Sequence, residues 1–286
     1  MSKQNLVQSL IFVSVACLVL LVGTALTIRH YIFYKAQQPL TSLPSGSTEV
    51  PDGLVAHWEF DSISGNSTPN SSVHSNDGIF KSFLVNASSL FYGQPKLTEG
   101  VHGKALEFSG KHWIAAGNKN CFNTDIFTLA VWVWQADDED VFVPTIMSKS
   151  DWPKYNGWWL CTATEESGMG RDRDVNLAIS WGNDFKHIRS GYQLPLNEWH
   201  HVAVTMDNVK HEVQFYIDGK AYGPAHTDVP EWLINWNHDM FVADYDGSGR
   251  WTWRGKLDDV RFYRGVLSPE EIAAVCTGET LGKKQE

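Results

Sequence analysis

Two adjacent histidines, His200 and His201, have the type and spacing to do chemistry, and they lie in NEWHHVAVT, residues 197–205. Imidazole nitrogens can bind a metal ion or transfer a proton near neutral pH. Neighbouring side chains on a β-strand point to opposite faces, however, and the residues after the pair alternate as a strand does. We therefore expect one histidine to be buried and the other to face outward, which favours a structural strand over a catalytic pair.

Tryptophans in turn-rich sequence are the second candidate for a site. The chain has 13 tryptophans, and a sugar stacks its CH face on such rings while nearby polar groups bind its hydroxyls. Insertions at 151–159, 230–239 and 246–255 carry the residues that we predict to bind a glycan or a protein partner: Trp152, Trp232, Trp236 and Trp251. The alternative is that these rings pack against each other or over the ends of the domain.

Composition and missing motifs exclude several functions. The net charge of −10 would repel a polyanion, so we expect no nucleic-acid partner. The sequence has no phosphate-binding glycine loop, CxxC pair, HExxH helix or GxSxG turn, which argues against nucleotide, redox and zinc-protease chemistry. The acidic run at 137–140 follows a predicted strand and is expected to be a solvated loop.

The cysteines leave two alternatives open. Cys17 lies in an apolar run near the N-terminus, and the other three are Cys121, Cys161 and Cys276. In an oxidising compartment one disulfide is possible, most plausibly between Cys121 and Cys161, with one thiol left over. In a reducing compartment all three are expected to be buried small apolar side chains.

Residues 10–28 carry no charge and have close to the roughly 20 residues that cross a bilayer as a helix. The aromatic and basic segment at 29–35 follows as a headgroup anchor. We predict a single-pass signal anchor with the C-terminal domain outside the cytoplasm, in a periplasm, at a cell surface or in a secretory lumen. The alternative is a cleaved signal peptide, because Gly23-Thr24-Ala25 offers a cleavage site.

The rest of the chain divides into a linker and one domain. Residues 36–50 are rich in Pro, Ser, Gln and Thr without an apolar period, which is typical of a flexible tether. The predicted order is an N-terminal tail at 1–9, a transmembrane helix at 10–28, a juxtamembrane segment and linker at 29–50, a folded domain at 51–278 and a tail at 279–286.

Short apolar runs separated by turn residues predict that this domain is all-β. In residues 127–134 both alternating faces are largely apolar, as expected of a strand inside a two-layer sandwich. Asp218-Gly219 predicts a tight hairpin turn. Ser268-Pro269-Glu270-Glu271 has the N-cap, first-turn proline and N3 glutamate of a capping box, so one short helix is expected to continue through Val275.

Several segments occur in an order that resembles a known superfamily. They are GLVAHWEFD (53–61), NSSVHSNDGIF (70–80), GKALEFSG (103–110), FTLAVWVW (127–134), TIMSKSD (145–151), NGWWL (156–160), NEWHHVAVTMD (197–207), VQFYIDGK (213–220) and GKLDDVRFYRGVLSPEEIAAV (255–275). Together they resemble the laminin G-like, concanavalin A-like lectin/glucanase superfamily. The resemblance implies a two-sheet antiparallel jelly-roll sandwich and places Trp58, Trp132 and Trp199 at core positions.

The resemblance also implies a structural calcium at the edge of the sandwich. Asp61, Asp258 and Asp259 match the family's ligand positions, and carboxylate oxygens suit calcium. The loop between them departs from the family pattern, since Val73 and His74 stand where Gly and Asn are usual and Asn70 replaces an Asp. The alternative is that the three aspartates are hydrogen-bonded edge residues without an ion.

Because the superfamily includes glucanases, a glycosidase must also be considered. Their catalytic strand carries E-x-D-x-x-E, with two carboxylates facing one cleft. The nearest string here starts at Glu59 and Asp61, lies in the opening strand and lacks the second glutamate. We therefore predict that the domain is not an enzyme.

These observations lead to one leading function and two alternatives. We predict a membrane-anchored, extracytoplasmic, non-catalytic module that binds a glycan or a protein surface. One alternative is an accessory or scaffold subunit of a larger membrane complex, in which residues 10–28 pack on partner helices. The other is a divergent glycan-degrading enzyme.

Overall fold

The computed structural model describes residues 53–74, 76–82, 84–85, 90–91, 93–136, 143–151, 156–163, 173–181, 184–230 and 238–281. The predicted transmembrane helix at 10–28 and the segments at 1–9 and 29–50 lie outside these residues. Within the described ranges, no helix has the length and apolar character needed to cross a membrane.

Nearly all of the regular secondary structure in the described chain is β-strand. The first nine are β1 (Gly53–Trp58), β2 (Ser67–Thr68), β3 (Gly78–Ser82), β4 (Leu84–Val85), β5 (Leu90–Phe91), β6 (Lys96–Glu99), β7 (Lys104–Ser109), β8 (His112–Gly117) and β9 (Ile126–Gln135). The others are β10 (Thr145–Asp151), β11 (Asn156–Ala163), β12 (Asp174–Trp181), β13 (Asp184–Gln193), β14 (Trp199–Asp207), β15 (Glu212–Ile217), β16 (Lys220–His226), β17 (Met240–Val242) and β18 (Arg254–Arg264). A 3₁₀ helix at Asn120–Phe122 and helix α1 at Pro269–Cys276 complete the elements.

The strands form two large antiparallel sheets, as the sequence predicts. The first sheet has the order β16-β15-β14-β9-β18-β7-β6, with β1 also paired to β18. The second sheet has the order β13-β12-β11-β10-β17-β8-β3-β2, and β4 and β5 form a separate pair. Neighbours in the sheets are often distant in sequence, so the register must be held by side-chain packing between the layers.

The core lies between the inner faces of the two sheets. Phe262 of the first sheet stacks on Phe127 with ring centroids 5.8 Å apart and on Trp158 of the second sheet at 6.1 Å. Trp58 is fully buried in the same apolar cluster, which confirms its predicted core position. These large rings bridge the layers and stabilise the sandwich through buried apolar area.

Two other tryptophans do not lie where the sequence predicts. Trp132 and Trp199 are only half-buried. Val131 and Val133 of β9 and Val202 and Val204 of β14 point into the core, so alternation turns both tryptophans to the outer face. The Trp132 ring contacts the His201 ring at 5.5 Å on the outer face of the first sheet. The predicted core positions of Trp132 and Trp199 are therefore wrong.

Helix α1 begins at the predicted capping box. The Ser268 side chain accepts a hydrogen bond from the Glu271 amide at 3.2 Å, and the Glu271 carboxylate accepts one from the Ser268 amide at 2.7 Å. The helix buries Ile272 and Val275 against the outer face of the first sheet, where Tyr216 and other apolar side chains receive them. The capping box thus fixes the start of the element that covers part of this face.

Candidate functional site

The histidine pair lies on β14, and its two rings have different partners. His201 is 1% exposed and contacts Trp132, whereas His200 is half-buried and hydrogen-bonds Asp218 Oδ2 at 3.0 Å through Nδ1. Asp218 also accepts the His201 amide through Oδ1 at 3.0 Å, and its φ of 50° places it in the predicted hairpin turn. The pair is therefore structural, with Asp218 linking the turn to the strand.

Two of the predicted calcium ligands, Asp61 and Asp258, bind the same turn. Asp61 Oδ1 accepts a hydrogen bond from the Lys104 amide at 2.6 Å. Asp258 Oδ2 accepts hydrogen bonds from the amides of Val101 and His102 at 2.7 and 2.9 Å. Burial raises the pKa of Asp258 to about 6, although these amides act in the opposite direction. Asp258 Oδ1 is buried and has no hydrogen-bond partner among the described residues.

Asp259, the third predicted ligand, faces away from that turn. Its carboxylate hydrogen-bonds the His57 ring and forms an ion pair with Arg261 at 2.9 Å. Burial acts to raise the pKa of Asp259, but the His57 hydrogen bond and the Arg261 charge outweigh it, so this pKa lies below its usual value. In the part of the chain that is described, no group of three His, Cys, Asp or Glu side chains could hold a metal ion. Asp259 fits a calcium site poorly, and calcium binding stays a prediction that rests on Asp61 and Asp258.

The predicted disulfide between Cys121 and Cys161 is not formed, because the two thiols lie on different sides of the second sheet. Both thiols are free and buried. The Cys121 thiol lies in the central core and accepts a hydrogen bond from Asn76 Nδ2 at 3.2 Å. The Cys161 thiol lies in a separate apolar cluster, and it donates to Asn176 Oδ1 at 3.2 Å. Burial raises the pKa of both thiols, so neither is a reactive thiolate.

A continuous row of aromatic rings lies on the outer face of the second sheet. We call it the aromatic row, and in spatial order it comprises Phe185, His187, Trp159, Tyr245 and Trp251. Successive ring centroids are 5.4, 5.6, 5.1 and 4.6 Å apart. Three of the four contacts are edge-to-face, an arrangement that aromatic quadrupoles favour. The row therefore has a fixed geometry set by its own members.

Strand register explains why these rings meet. Trp159 on β11 lies opposite Ala178 on β12, and Ala178 lies opposite His187 on β13. The small alanine between them lets the Trp159 and His187 rings approach edge-on. Because Trp158 and Ile188 point into the core, alternation along β11 and β13 turns Trp159 and His187 to the outer face.

The ends of the row are accessible, whereas its centre is not. Phe185 is 48% exposed and Trp251 is half-buried, while Trp159 and Tyr245 are only 3% and 1% exposed. A ligand would therefore meet the two end rings, of which Phe185 contacts His187 and Trp251 contacts Tyr245.

Polar groups accompany the row. His187 Nδ1 hydrogen-bonds Asn176 Oδ1 at 3.0 Å, and burial together with the Arg189 charge lowers the pKa of His187 to about 4. Asp244 precedes Tyr245, and its Oδ2 accepts hydrogen bonds from the amides of Gly247 and Gly249 at 2.7 and 3.2 Å. Burial raises the pKa of Asp244 to about 6, so its carboxylate is ionised at neutral pH.

The structure describes only one of the four predicted binding tryptophans. Trp251 lies in the aromatic row, whereas Trp152, Trp232 and Trp236 fall outside the described residues. The sequence prediction missed Phe185, His187, Trp159 and Tyr245. A signal was present in NGWWL, where one of two adjacent tryptophans on a strand must face outward, and in the alternation of Phe185, His187 and Arg189.

The two-sheet antiparallel sandwich with its one described α-helix places the chain among the all-β sandwich proteins. A sequence profile of the concanavalin A-like lectin/glucanases superfamily, of the laminin G type, matches residues 108–273. The chain belongs to this superfamily. A comparison with curated proteins gave no match.

Solved structures similar to this chain include binding domains. Domain 4 of an extracellular GH43 arabinanase from Geobacillus stearothermophilus, in complex with arabinotriose, superposes with a TM-score of 0.59 and 21% identity over 79% of this chain and 100% of that one. The binding domain of Paraclostridial Mosquitocidal Protein 1 gives a TM-score of 0.57 at 14% identity over 79% of this chain and 52% of that one. The ligand binding domain of botulinum neurotoxin serotype D, in complex with N-acetylneuraminic acid, gives 0.52 at 14% identity over 79% and 51%. This chain spans about half of the two toxin domains, and at these identities the likeness shows the fold alone.

Proposed function

We propose that this protein is a non-catalytic module that binds a glycan at the aromatic row, on the outer face of the second sheet. The observation that carries the proposal is the row itself, in which the exposed Phe185 ring contacts His187 and the half-buried Trp251 ring contacts the buried Tyr245 ring. Sugars stack on such rings and form directed hydrogen bonds to polar groups beside them. Arg189 supplies such a group here, because it is exposed and lies on the same face of β13 as Phe185 and His187.

The non-catalytic part of the proposal is supported by the environment of the two carboxylates in the opening segment. Glu59 lies 3.8 Å from His57 Nδ1, while Asp61 binds the Lys104 amide. Retaining and inverting glycosidases need two carboxyl groups that face each other across the scissile bond. Glu59 and Asp61 instead serve different partners.

Two of the similar structures hold sugars, arabinotriose in one and N-acetylneuraminic acid in the other. We extend this ligand class to the present chain as part of the proposal. Residues 10–28 would anchor the protein in a membrane, with the sandwich on the extracytoplasmic side. Protease protection of the C-terminal domain in sealed vesicles tests the orientation.

Glycan binding is tested with the full chain in detergent micelles. The probes are arabinotriose, cellotetraose and chitotriose as neutral glycans and sialyllactose as an acidic one, measured by titration calorimetry. Trp251→Ala and Phe185→Ala are each expected to weaken binding about fivefold, since stacking on one aromatic ring contributes on the order of 1 kcal/mol.

Tyr222→Ala is the matched control, because Tyr222 is an exposed aromatic residue at an edge of the first sheet. It should leave the affinity unchanged. Absence of binding to all four probes, or equal losses in Tyr222→Ala and the row variants, would contradict the proposal.

A further inference from the structure

A cavity lies on the outer face of the first sheet, beside the start of helix α1. Its volume is about 340 Å³, which is within the range of roughly 300–1,000 Å³ that is common for ligand pockets. Residues of β14 and β15 line it together with the segment that leads into the helix. The aromatic row lies on the other sheet, so this cavity is separate from the proposed glycan site.

Strand register explains why the space is left open. Helix α1 packs on an apolar cluster that includes Tyr216 of β15. Two residues away, Gln214 points to the same face and lies opposite Thr205 of β14. The helix begins only at Pro269, and the cavity is the space between its start and the pair formed by Thr205 and Gln214.

Part of the cavity wall is apolar. Val266, Leu267 and Pro269 line it, and Val266 is 39% exposed. The mostly buried Tyr216 also lines the cavity. Such a wall suits the methylene stem of a long side chain and the flat face of a planar group.

The charged side chains that line the cavity are both acidic. They are Glu212 and Glu271, each half-buried, and no lysine or arginine is among the described residues of the lining. Burial raises the pKa of Tyr216, and the charges of Glu212 and Glu270 act in the same direction. The electrostatic potential in the cavity is therefore negative.

The surroundings favour a cation over an anion. Lys210 is close to Glu212 in sequence, but its ammonium group pairs with Asp207 at 3.0 Å. The positive end of the helix dipole does not create an anion site here, because Glu270 and Glu271 already occupy the first turn.

We propose that this cavity binds an arginine side chain of a protein partner. The guanidinium group would pair with Glu212 and Glu271, while its planar face and stem contact the apolar wall. Arginine suits this setting better than lysine because it is planar, weakly hydrated and enriched at interfaces. The net charge of −10 also favours the approach of a basic partner. The inference does not depend on glycan binding, since it uses the other sheet.

The first test uses the full chain in detergent micelles and three acetylated, amidated tripeptides, in which arginine, lysine or citrulline stands between two glycines. Citrulline resembles arginine in shape but carries no charge. The NMR signals of the Val266 and Leu267 methyl groups should shift with the arginine peptide, less with the lysine peptide and not with the citrulline peptide. No shift with any peptide, an equal response to arginine and citrulline, or a larger response to lysine would overturn the proposal.

The second test removes the acidic groups. Glu212→Gln should weaken binding of the arginine peptide about fivefold, as expected for the loss of one partly exposed ion pair. Glu271→Gln should also weaken it, and the fold should persist because glutamine can replace glutamate in a capping box. The matched control is Glu107→Gln, which removes a charge from β7 of the same sheet, outside the cavity. Equal effects of Glu107→Gln and Glu212→Gln would contradict a specific site.

Other occupants give different results. Removing residues 282–286, which include Lys283 and Lys284, should leave the affinity for the arginine peptide unchanged. A rise would show that the chain's own tail fills the cavity. A dimer that Glu212→Gln dissociates in analytical ultracentrifugation would show that a second copy does so, and either result would overturn the proposed partner. Trp251→Ala should leave peptide binding unchanged, so the glycan site and this cavity can fail separately.

Discussion

Asp258 and Asp259 are adjacent in sequence, yet their carboxylates contact different parts of the chain. Asp258 accepts two backbone amides of the turn that begins at Val101, whereas Asp259 pairs with Arg261 and His57. A positive φ of 51° at Asp259 and a break in the pairing of β18 with β9 allow this divergence. One carboxylate thus supports a turn and the other neutralises a buried guanidinium.

This difference gives a prediction for calcium. If Asp61 and Asp258 supply ligands, calcium should raise the melting temperature of the wild-type chain more than that of Asp61→Asn, because the variant loses a charged oxygen ligand. Calcium should raise the melting temperature of Asp259→Asn as much as that of wild type, when each is compared with the same protein without calcium. Differential scanning calorimetry with calcium and with EDTA measures both. Equal shifts in wild type and Asp61→Asn would exclude the site.

The buried ion pair between Asp259 and Arg261 gives a prediction for stability. Asp259→Ala leaves the Arg261 charge buried without its carboxylate, and the free energy of unfolding should fall by roughly 3–5 kcal/mol. The control is Asp228→Ala, which breaks an exposed pair with Lys186 and should change stability very little, because solvent screens exposed pairs. Urea unfolding followed by tryptophan fluorescence compares them. Similar losses in the two variants would show that burial does not strengthen the first pair.

Asp244 should destabilise the fold at neutral pH. Its pKa is raised to about 6 by burial, above the usual 3.9 of an unfolded chain. The folded state therefore binds more protons between about pH 4 and pH 6, so stability attributable to this group rises as the pH falls through that window. Asp244→Asn should be about 1–2 kcal/mol more stable than wild type at pH 8, with the difference disappearing near pH 4. Unfolding curves at both pH values test this, and a gain that persists at pH 4 would contradict it.

His201 should have the opposite effect on the pH dependence of stability and destabilise the fold as the pH falls. Burial lowers its pKa to about 4, below the unfolded value near 6.5. Asp259 and Asp218 favour the charged ring and Arg261 and His102 oppose it, but burial dominates. The unfolded chain binds more protons between these values, so stability falls as the pH drops from about 6.5 to 4, by up to ~3 kcal/mol. His201→Phe should lose less stability over this range in urea titrations at pH 7 and pH 4.5, and an unchanged pH dependence would refute the assignment.

Local patterns in the sequence predicted much of the fold. The capping box at Ser268 and the turn at Asp218 depend on neighbouring residues, and both occur as predicted. Trp132 was misplaced because both faces of β9 are apolar, so alternation alone could not decide which face is the core. The predicted disulfide failed for a related reason, since sequence spacing does not reveal that Cys121 and Cys161 lie on opposite sides of a sheet.

The aromatic row was only partly predictable. Trp251 was found because it lies in a turn-rich insertion, but Trp159 and His187 come from separate strands and meet only through the register across Ala178. The hydrogen bond between His187 and Asn176 also joins two strands, so it is a property of the folded structure. Such long-range relationships have no local sequence signal.

The first and last described residues of the sandwich lie close together. Gly53 pairs with Arg264 across β1 and β18, and Leu54 and Leu281 both pack on the apolar cluster beneath α1. A domain whose ends meet can be inserted into a loop of another protein with little disturbance of the host. Residues 53–281 therefore form a domain of this kind. Both of its ends lie at the first sheet, whereas the aromatic row lies on the outer face of the second sheet.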